Sequence, residues 1–415
     1  MVKRALLIAY HYPPVRGSSG VQRTLAFSKY LQEHDWQSIV LTAHPRANEN
    51  SSDDQMDDIP EQVIVRRAFA LDTKKHLSIK GRYPSFLALP DRWSSWWLGG
   101  LVSGLLLIKK YRPKVIFSTY PVATAHLIGY TLNKLTGTPW VADFRDSMID
   151  DSFPVDQKLR AVHSFIEKRV VESASRVLLT TKGAVKMYRE RYPSVPDHKW
   201  QCLPNGFNEE IFSDVESSLI RPNAGENETG RLVLLHSGVI YPSERDPVCF
   251  FQALKNLKNH NKIDHTKLSI VLRATGHDAY LKQLIKKHGI EDLVQLKPGL
   301  PYREALTEMI NADALLILQA ANCNHQIPAK LYEYFRSKRP IFAMTDITGN
   351  TATELAGAGY TDIVQLSDAD KIASSLMLFI SSVEKGTAPI ATDEIIMKFS
   401  RQSQTEDLAN IFNEL

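Results

Sequence analysis

Cysteine is scarce. Cys202, Cys249 and Cys323 in 415 residues are odd in number and widely spaced, which excludes a disulfide framework and a zinc pattern and makes a reducing cytosol the expected home. Long apolar runs are missing too. The most apolar window, Trp96–Ile108, is thirteen residues long and is followed by Lys109, Lys110 and Arg112; crossing a bilayer takes about 20. It reads as a helix covering a sheet, or as one resting on a membrane surface with tryptophans at one end and lysines at the other. The apolar run near the N-terminus is too short for a signal peptide, lacks a cleavage site and reads as a first β-strand. Neither charge sign dominates: 50 basic against 46 acidic residues leave +4, so no nucleic-acid partner is expected. No G-x-G-x-x-G or Gly-Lys-Ser/Thr sequence is present, because Gly17 and Gly20 lie only three apart and no lysine follows them. Nucleophile motifs and a metal site are likewise absent. Asp368-Ala-Asp370 precedes a helical pattern, where a cap with a first-turn acid explains it.

What is present is globular composition, 43% hydrophobic and 23% charged, in a chain long enough for two domains of about 200 residues. Strand-length apolar runs (Arg4–Tyr10, Ser38–Thr42, Val63–Ala68, Val115–Thr119, Trp140–Phe144, Val177–Thr181, Trp200–Leu203) alternate with helix-period segments such as Val21–Glu33, Thr124–Leu135, Gln157–Ser173 and Lys182–Arg191. Pro204–Asn208 is a turn cluster, and the polar sequence on to Gly230 reads as a linker or surface loop. The alternation then restarts with Leu232–His236, Leu268–Arg273, Val294–Leu296, Ala314–Gln319, Pro340–Met344 and Asp362–Gln365. Buried runs alternating with helices predict an α/β fold: two doubly wound, Rossmann-like domains facing a cleft. The expected boundaries are 1–205, 206–392, and a C-terminal helix, 393–415, docking back on the first domain.

In such sheets ligands meet the carboxyl ends of the strands. In the second domain, Pro328-Ala-Lys330-Leu-Tyr-Glu333-Tyr334 predicts a helix with Pro328 in its first turn, putting Lys330, Glu333 and Tyr334 on one face. Lys330 and the helix end suit a diphosphate and Glu333 suits ribose hydroxyls; a solvated Lys–Glu pair is the alternative. His236-Ser-Gly238 ends the first strand, and Gly238 permits close backbone approach. Arg245, just before the next helix, would add a second positive charge beside Lys330. Loops at Gly276 and at Pro298-Gly299 offer backbone groups to a nucleobase. In the first domain, Gly17-Ser18-Ser19-Gly20 joins strand to helix, either as a ligand-approaching loop or as a plain turn. Asp143-Phe-Arg145-Asp146 ends the fifth strand, as acceptor-positioning carboxylates or as an internal ion pair. His126 either reaches the same space or sits in the core.

Taken in order, Tyr12-Pro-Pro…Gly17-Ser-Ser-Gly20-Val-Gln-Arg, Trp140-Val-Ala-Asp-Phe-Arg-Asp146, Pro204-Asn-Gly-Phe and Pro328-Ala-Lys-Leu-Tyr-Glu-Tyr give a chain that resembles glycosyltransferase family 4, the retaining nucleotide-sugar transferases of GT-B architecture. It looks most like the branch that builds bacterial surface polysaccharides. The resemblance implies that Arg245 and Lys330 hold the diphosphate of a UDP- or GDP-sugar, Glu333 the ribose, and the Gly17–Gly20 loop the donor phosphates. It also implies that Asp143 or Asp146 faces a saccharide or lipid-linked acceptor. No metal or other cofactor is implied, and the place of work is the cytoplasm or the inner face of the plasma membrane, with peripheral contact. His325 stands eight positions before Glu333, where many members carry a glutamate that contacts the donor sugar, so sugar identity does not carry over. Two other classes stay open: a nucleotide-sugar 2-epimerase, which shares the two-domain cleft, and a catalytically degenerate scaffold, which the departure at His325 motivates.

Overall fold

The computed structural model describes residues 2–15, 19–48, 50–53, 55–150, 153–219 and 230–415. It divides into two units, Met1–Asn205 with Arg401–Leu415, and Gly206–Ser400.

The first unit is built on seven parallel strands: β1 (Lys3–Ile8), β2 (Trp36–Ala43), β3 (Ile64–Ala68), β4 (Val115–Thr119), β5 (Trp140–Arg145), β6 (Arg176–Leu179) and β7 (Trp200–Cys202). Their order is β3-β2-β1-β4-β5-β6-β7. Strands buried on both faces read as unbroken apolar runs, and the pleat divides β1 between two cores. Leu6 and Ile8 pack on one side with Trp96, Ile128 and Trp140, while Ala5 and Leu7 pack on the other with Phe27 and Phe117. Gly100 and Gly104 let the Trp96–Tyr111 helix approach Ile128 and Leu132 of the Ala123–Thr136 helix. The second core is completed by Leu408 and Phe412 of the Arg401–Asn413 helix, whose Phe412 ring meets Trp36 and Phe117 edge-on.

The second unit has six parallel strands: β8 (Leu232–Ser237), β9 (Leu268–Arg273), β10 (Val294–Lys297), β11 (Ala314–Leu318), β12 (Ile341–Met344) and β13 (Ile363–Val364). Their order is β10-β9-β8-β11-β12-β13. In both sheets the order reverses beside the first strand, between β1 and β4 and between β8 and β11. That is where such folds open a crevice for ligands.

Three expectations change. The stretch after Asn208 is not all linker: Glu209–Ser218 is a helix, capped by the Asn208 side chain and burying Ile211, Phe212 and Val215. Arg336 ties it down through Glu209 (2.6 and 2.8 Å) and Glu216 (2.8 Å). The C-terminal segment is two helices rather than one. Asp393–Met397 stays with the second unit, where Ile396 is buried, and only from Arg401 does the chain join the first. Finally, Pro328 precedes the seven-residue Lys330–Arg336 helix, whose cap is Ala329, and is not in its first turn.

Candidate functional site

In the second unit, the helix Lys330–Arg336 lies against the end of β8. Tyr334, one turn after Lys330, accepts a hydrogen bond from the Ser237 backbone N–H (2.9 Å). That contact holds Lys330 over the same strand end, with Nζ 3.0 Å from His236 Nε2. His236 is buried and its Nδ1 lies 3.0 Å from the Leu316 carbonyl. A carbonyl only accepts, so Nδ1 carries the proton and Nε2 accepts from the Lys330 ammonium. Gly238 makes room: a β-carbon there would stand 2.6 Å from Lys330 Nζ, and its φ of +128° disfavours any other residue.

Arg245 donates to the Val239 carbonyl (2.7 Å) and lies over the Tyr241 ring. Burial first, and then the Arg245 charge, hold the Lys330 pKa well below that of an ordinary lysine, with Glu333 pulling the other way. As a residue Lys330 keeps some exposed surface, but its ammonium is enclosed by Gly238 and His236. The His236 pKa is depressed by burial and by Lys330. Glu333, three residues along the helix, accepts from the Tyr302 hydroxyl (2.8 Å).

The neighbouring loops run side by side. The Gly238 N–H donates to Arg273 O (2.8 Å) and the Ile240 N–H to Thr275 O (2.9 Å). Gly276 (φ +72°) is exposed beside Val239, and exposed Gly299 abuts Ala274. Pro298 accepts from Arg273 Nη1 (2.8 Å). His325 is half-buried, 3.3 Å from Gln326 Nε2. Its loop is pinned by Gln319 Nε2 donating to the Cys323 and Gln326 carbonyls (2.9 and 3.2 Å) and by Asn350 donating to Asn324 O (2.9 Å).

These residues gather two cations, open backbone and one carboxylate at the strand ends. Such a surface opposes a diphosphate with charge-assisted hydrogen bonds and offers a carboxylate to a diol.

The first unit brings His11, Gly20 and Arg145 together. Gly17 and Ser18 lie outside the described residues. The helix begins at Ser19, so Gly20 belongs to the helix rather than to a loop. Its missing side chain admits Arg145: a β-carbon on Gly20 would collide with the guanidinium and stand 3.1 Å from His11 Nδ1. Arg145 has φ +55°, is buried, and donates to the Tyr120 carbonyl (3.2 Å). Burial and this cation lower the His11 pKa to about 4.

Asp146 is exposed beside them. Asp143 is not: it is fully buried, accepting from Arg23 Nε (3.1 Å) and Nη2 (2.9 Å) and from Thr119 Oγ1 (2.8 Å). Arg23 also donates to the Leu203 and Pro204 carbonyls (3.1 and 2.6 Å), so this pair closes the sheet and does not face an acceptor. Asp143 thus pairs with Arg23, across 120 residues.

His126 belongs to the core. It takes a hydrogen bond at Nδ1 from Ser118 Oγ (2.8 Å), which itself accepts from Trp140 Nε1 (2.8 Å), and burial lowers its pKa to about 3. Among the described residues no cluster of three His, Cys, Asp or Glu side chains has the arrangement of a metal site. Asp368 caps the Ala369–Glu384 helix by accepting from the Lys371 N–H (3.0 Å).

Sequence reasoning missed His236, Tyr302, His11 and Arg23. His236 carried a signal, a polar residue closing an apolar strand two positions before a glycine. The other three are joined to their partners only by the fold.

Residues 19–206 match the family described as Glycosyl transferase 4-like domain. No curated protein matches the sequence. Among solved structures, the chain is similar to sucrose-phosphate synthase from Thermosynechococcus elongatus (TM-score 0.70, 13% identity, 99% of this chain and 98% of that one). It is similar to HepE of Anabaena in complex with UDP-glucose (TM-score 0.65, 13% identity, 99% and 100%). It is also similar to an α,α-trehalose-phosphate synthase (UDP-forming) from Burkholderia xenovorans (TM-score 0.65, 12% identity, 99% and 100%). At these identities the likeness establishes the fold, an α/β architecture of two Rossmann-like domains.

Proposed function

We propose that the chain, whose residues 19–206 match a glycosyl transferase 4-like domain, is a glycosyltransferase of the family 4 type that moves a sugar from a nucleoside-diphosphate donor to a saccharide or lipid-linked saccharide acceptor. The observation that carries this reading is the Lys330 ammonium drawn under Gly238 beside Arg245, with Glu333 one turn along. A diphosphate placed there meets both cations, and Glu333 takes the ribose hydroxyls. The UDP and UDP-glucose bound by HepE support a uridine donor.

Transfer proceeds with retention and without a metal. The acceptor attacks on the face the diphosphate leaves, a leaving-group oxygen takes its proton, and Arg245 and Lys330 stabilise the developing charge. Asp146, exposed beside Arg145, orients the acceptor. A lipid-linked acceptor for surface polysaccharide places the working enzyme at the cytoplasmic face of a membrane.

A thermal-shift panel of UDP, GDP, ADP and their sugars tests the reading. One diphosphate is expected to stabilise the protein, and Lys330→Ala or Glu333→Ala to remove most of that shift. A protein indifferent to every nucleotide would overturn it. Incubating the donor alone separates transfer from 2-epimerisation, which would yield an epimer without acceptor.

A further inference from the structure

The Trp96–Tyr111 helix buries one side on the first sheet and leaves the other apolar. Trp96, Gly100, Ser103, Gly104 and Leu107 face inward. Leu98, Val102 and Leu106, spaced four apart, point outward and are each about 60% exposed. The outward stripe of a surface helix is ordinarily polar; this one ends in Lys109 and Lys110, both exposed. Phe69, also exposed, flanks it, since Gly99 packs directly on the Phe69 backbone. Just before the helix, residues 74–86 form an excursion bearing exposed Ile79 and Phe86 among Lys74, Lys75, Lys80 and Arg82. Its two legs are tied at their base by Thr73 N–H to Arg92 O (2.9 Å) and by the Asp72–Arg92 pair.

The charge of this region decides what covers it. Residues 73–142 hold ten lysines and arginines and one acid, Asp91, whose carboxylate is turned inward to accept from the Thr124 N–H and hydroxyl (2.8 and 3.0 Å). The other 345 residues hold 40 basic against 45 acidic side chains, so the basic excess of the whole chain lies here. A protein partner of ordinary composition would not need this combination. A bilayer with anionic headgroups does: aliphatic side chains enter the headgroup boundary while lysines and arginines meet the lipid charge. No described helix is long and apolar enough to cross a membrane, so the contact lies in the surface.

We infer that this face, the Leu98–Val102–Leu106 stripe with its basic surround, docks on an anionic lipid surface. The contact deepens the proposed lipid-linked transfer but does not depend on the donor site. The test is flotation of the full chain with phosphatidylcholine vesicles, with and without 30% phosphatidylglycerol. Binding only to the anionic vesicles, weakened at least tenfold by 0.5 M salt, is expected. The Leu98→Gln/Val102→Gln/Leu106→Gln variant, altered only at exposed positions, should lose at least tenfold in partitioning while keeping its melting temperature and its UDP response. Wild-type protein that stays with the buffer, or a triple variant that floats like wild type, would overturn the inference. So would light scattering showing a dimer that the triple variant dissolves without any vesicle binding, since the face would then belong to a second copy. Intact vesicle binding in a protein deaf to nucleotides would count against the donor site alone.

Discussion

Replacing Gly238 with alanine separates the geometry of the proposed donor site from its charge. The backbone cost comes from φ +128°, a region that L-residues occupy at about 1–2 kcal/mol. For a unit of this size that lowers the melting temperature by roughly 2–8 °C. The second cost falls on Lys330. The new β-carbon stands 2.6 Å from Nζ where ordinary contact begins at 3.4 Å. The ammonium must therefore retreat by about 0.8 Å, the difference of those two distances, from its place against His236. Losing one charge-assisted contact to a phosphate is worth about 1.5–3 kcal/mol, so UDP should bind roughly 10- to 150-fold more weakly. Calorimetric titration with UDP reads this directly. Lys330→Ala should cause a similar loss, and combining the two should cost little more, because the alanine acts through the lysine. Gly238→Ala protein that binds UDP within a factor of two of wild type, or two losses that simply add, would refute the reasoning.

Four further outcomes follow from the same structure. Lys330 faces His236, Arg245 and Glu333, and its folded pKa is depressed chiefly by burial. The unliganded protein should therefore gain stability as pH rises from that depressed value towards about 10.4, the unfolded lysine value. In the same window UDP binding should take up as much as one proton, measured by titration in buffers of different ionisation enthalpy, and Lys330→Ala should abolish the uptake. His126, lowered to about 3, is buried neutral, so its contribution to stability is lost as pH falls below about 6.5, at about 1.4 kcal/mol per pH unit. Urea unfolding at pH 6.5 and 4.5 should show a slope flatter by about 2–3 kcal/mol over that interval in His126→Asn, whose amide oxygen still accepts from Ser118. Asp143→Asn leaves Arg23 buried without its charge partner and should cost about 3–5 kcal/mol of stability, read by denaturant unfolding. Asp146→Asn, at an exposed position, should leave stability and UDP binding unchanged and reduce transfer.

Much of the fold was legible because parallel strands buried on both faces leave unbroken apolar runs. Val115–Thr119 and Leu268–Arg273 fall where the sequence puts them, as do the Gln157–Ser173 and Lys182–Arg191 helices. The Glu209–Ser218 helix was read as linker because only Ile211, Phe212 and Val215 face inward among serines and acids; Asn208 was the signal to heed, since it caps that helix. Lys330 and Glu333 were legible as a pair because helical spacing is a local property. The fate of Asp143 was not, for it lies on β5 while its partner Arg23 lies on the Ser19–Tyr30 helix, and nothing between them marks the pairing. The sequence offers Gly20 as part of a ligand-approaching loop; in the fold it is the protein's own Arg145 that occupies the space beside it.

The return of Arg401–Asn413 to the first unit has a consequence for how the protein is made. Until that helix has left the ribosome, Trp36 and Phe117 lack the Phe412 ring that packs on both, and the first unit waits with an uncovered apolar face. The second unit, contiguous from Gly206 to Ser400, has all of its sequence earlier. The half synthesised first is therefore the half completed last, and a nascent chain stalled before residue 401 exposes the surface that chaperones recognise.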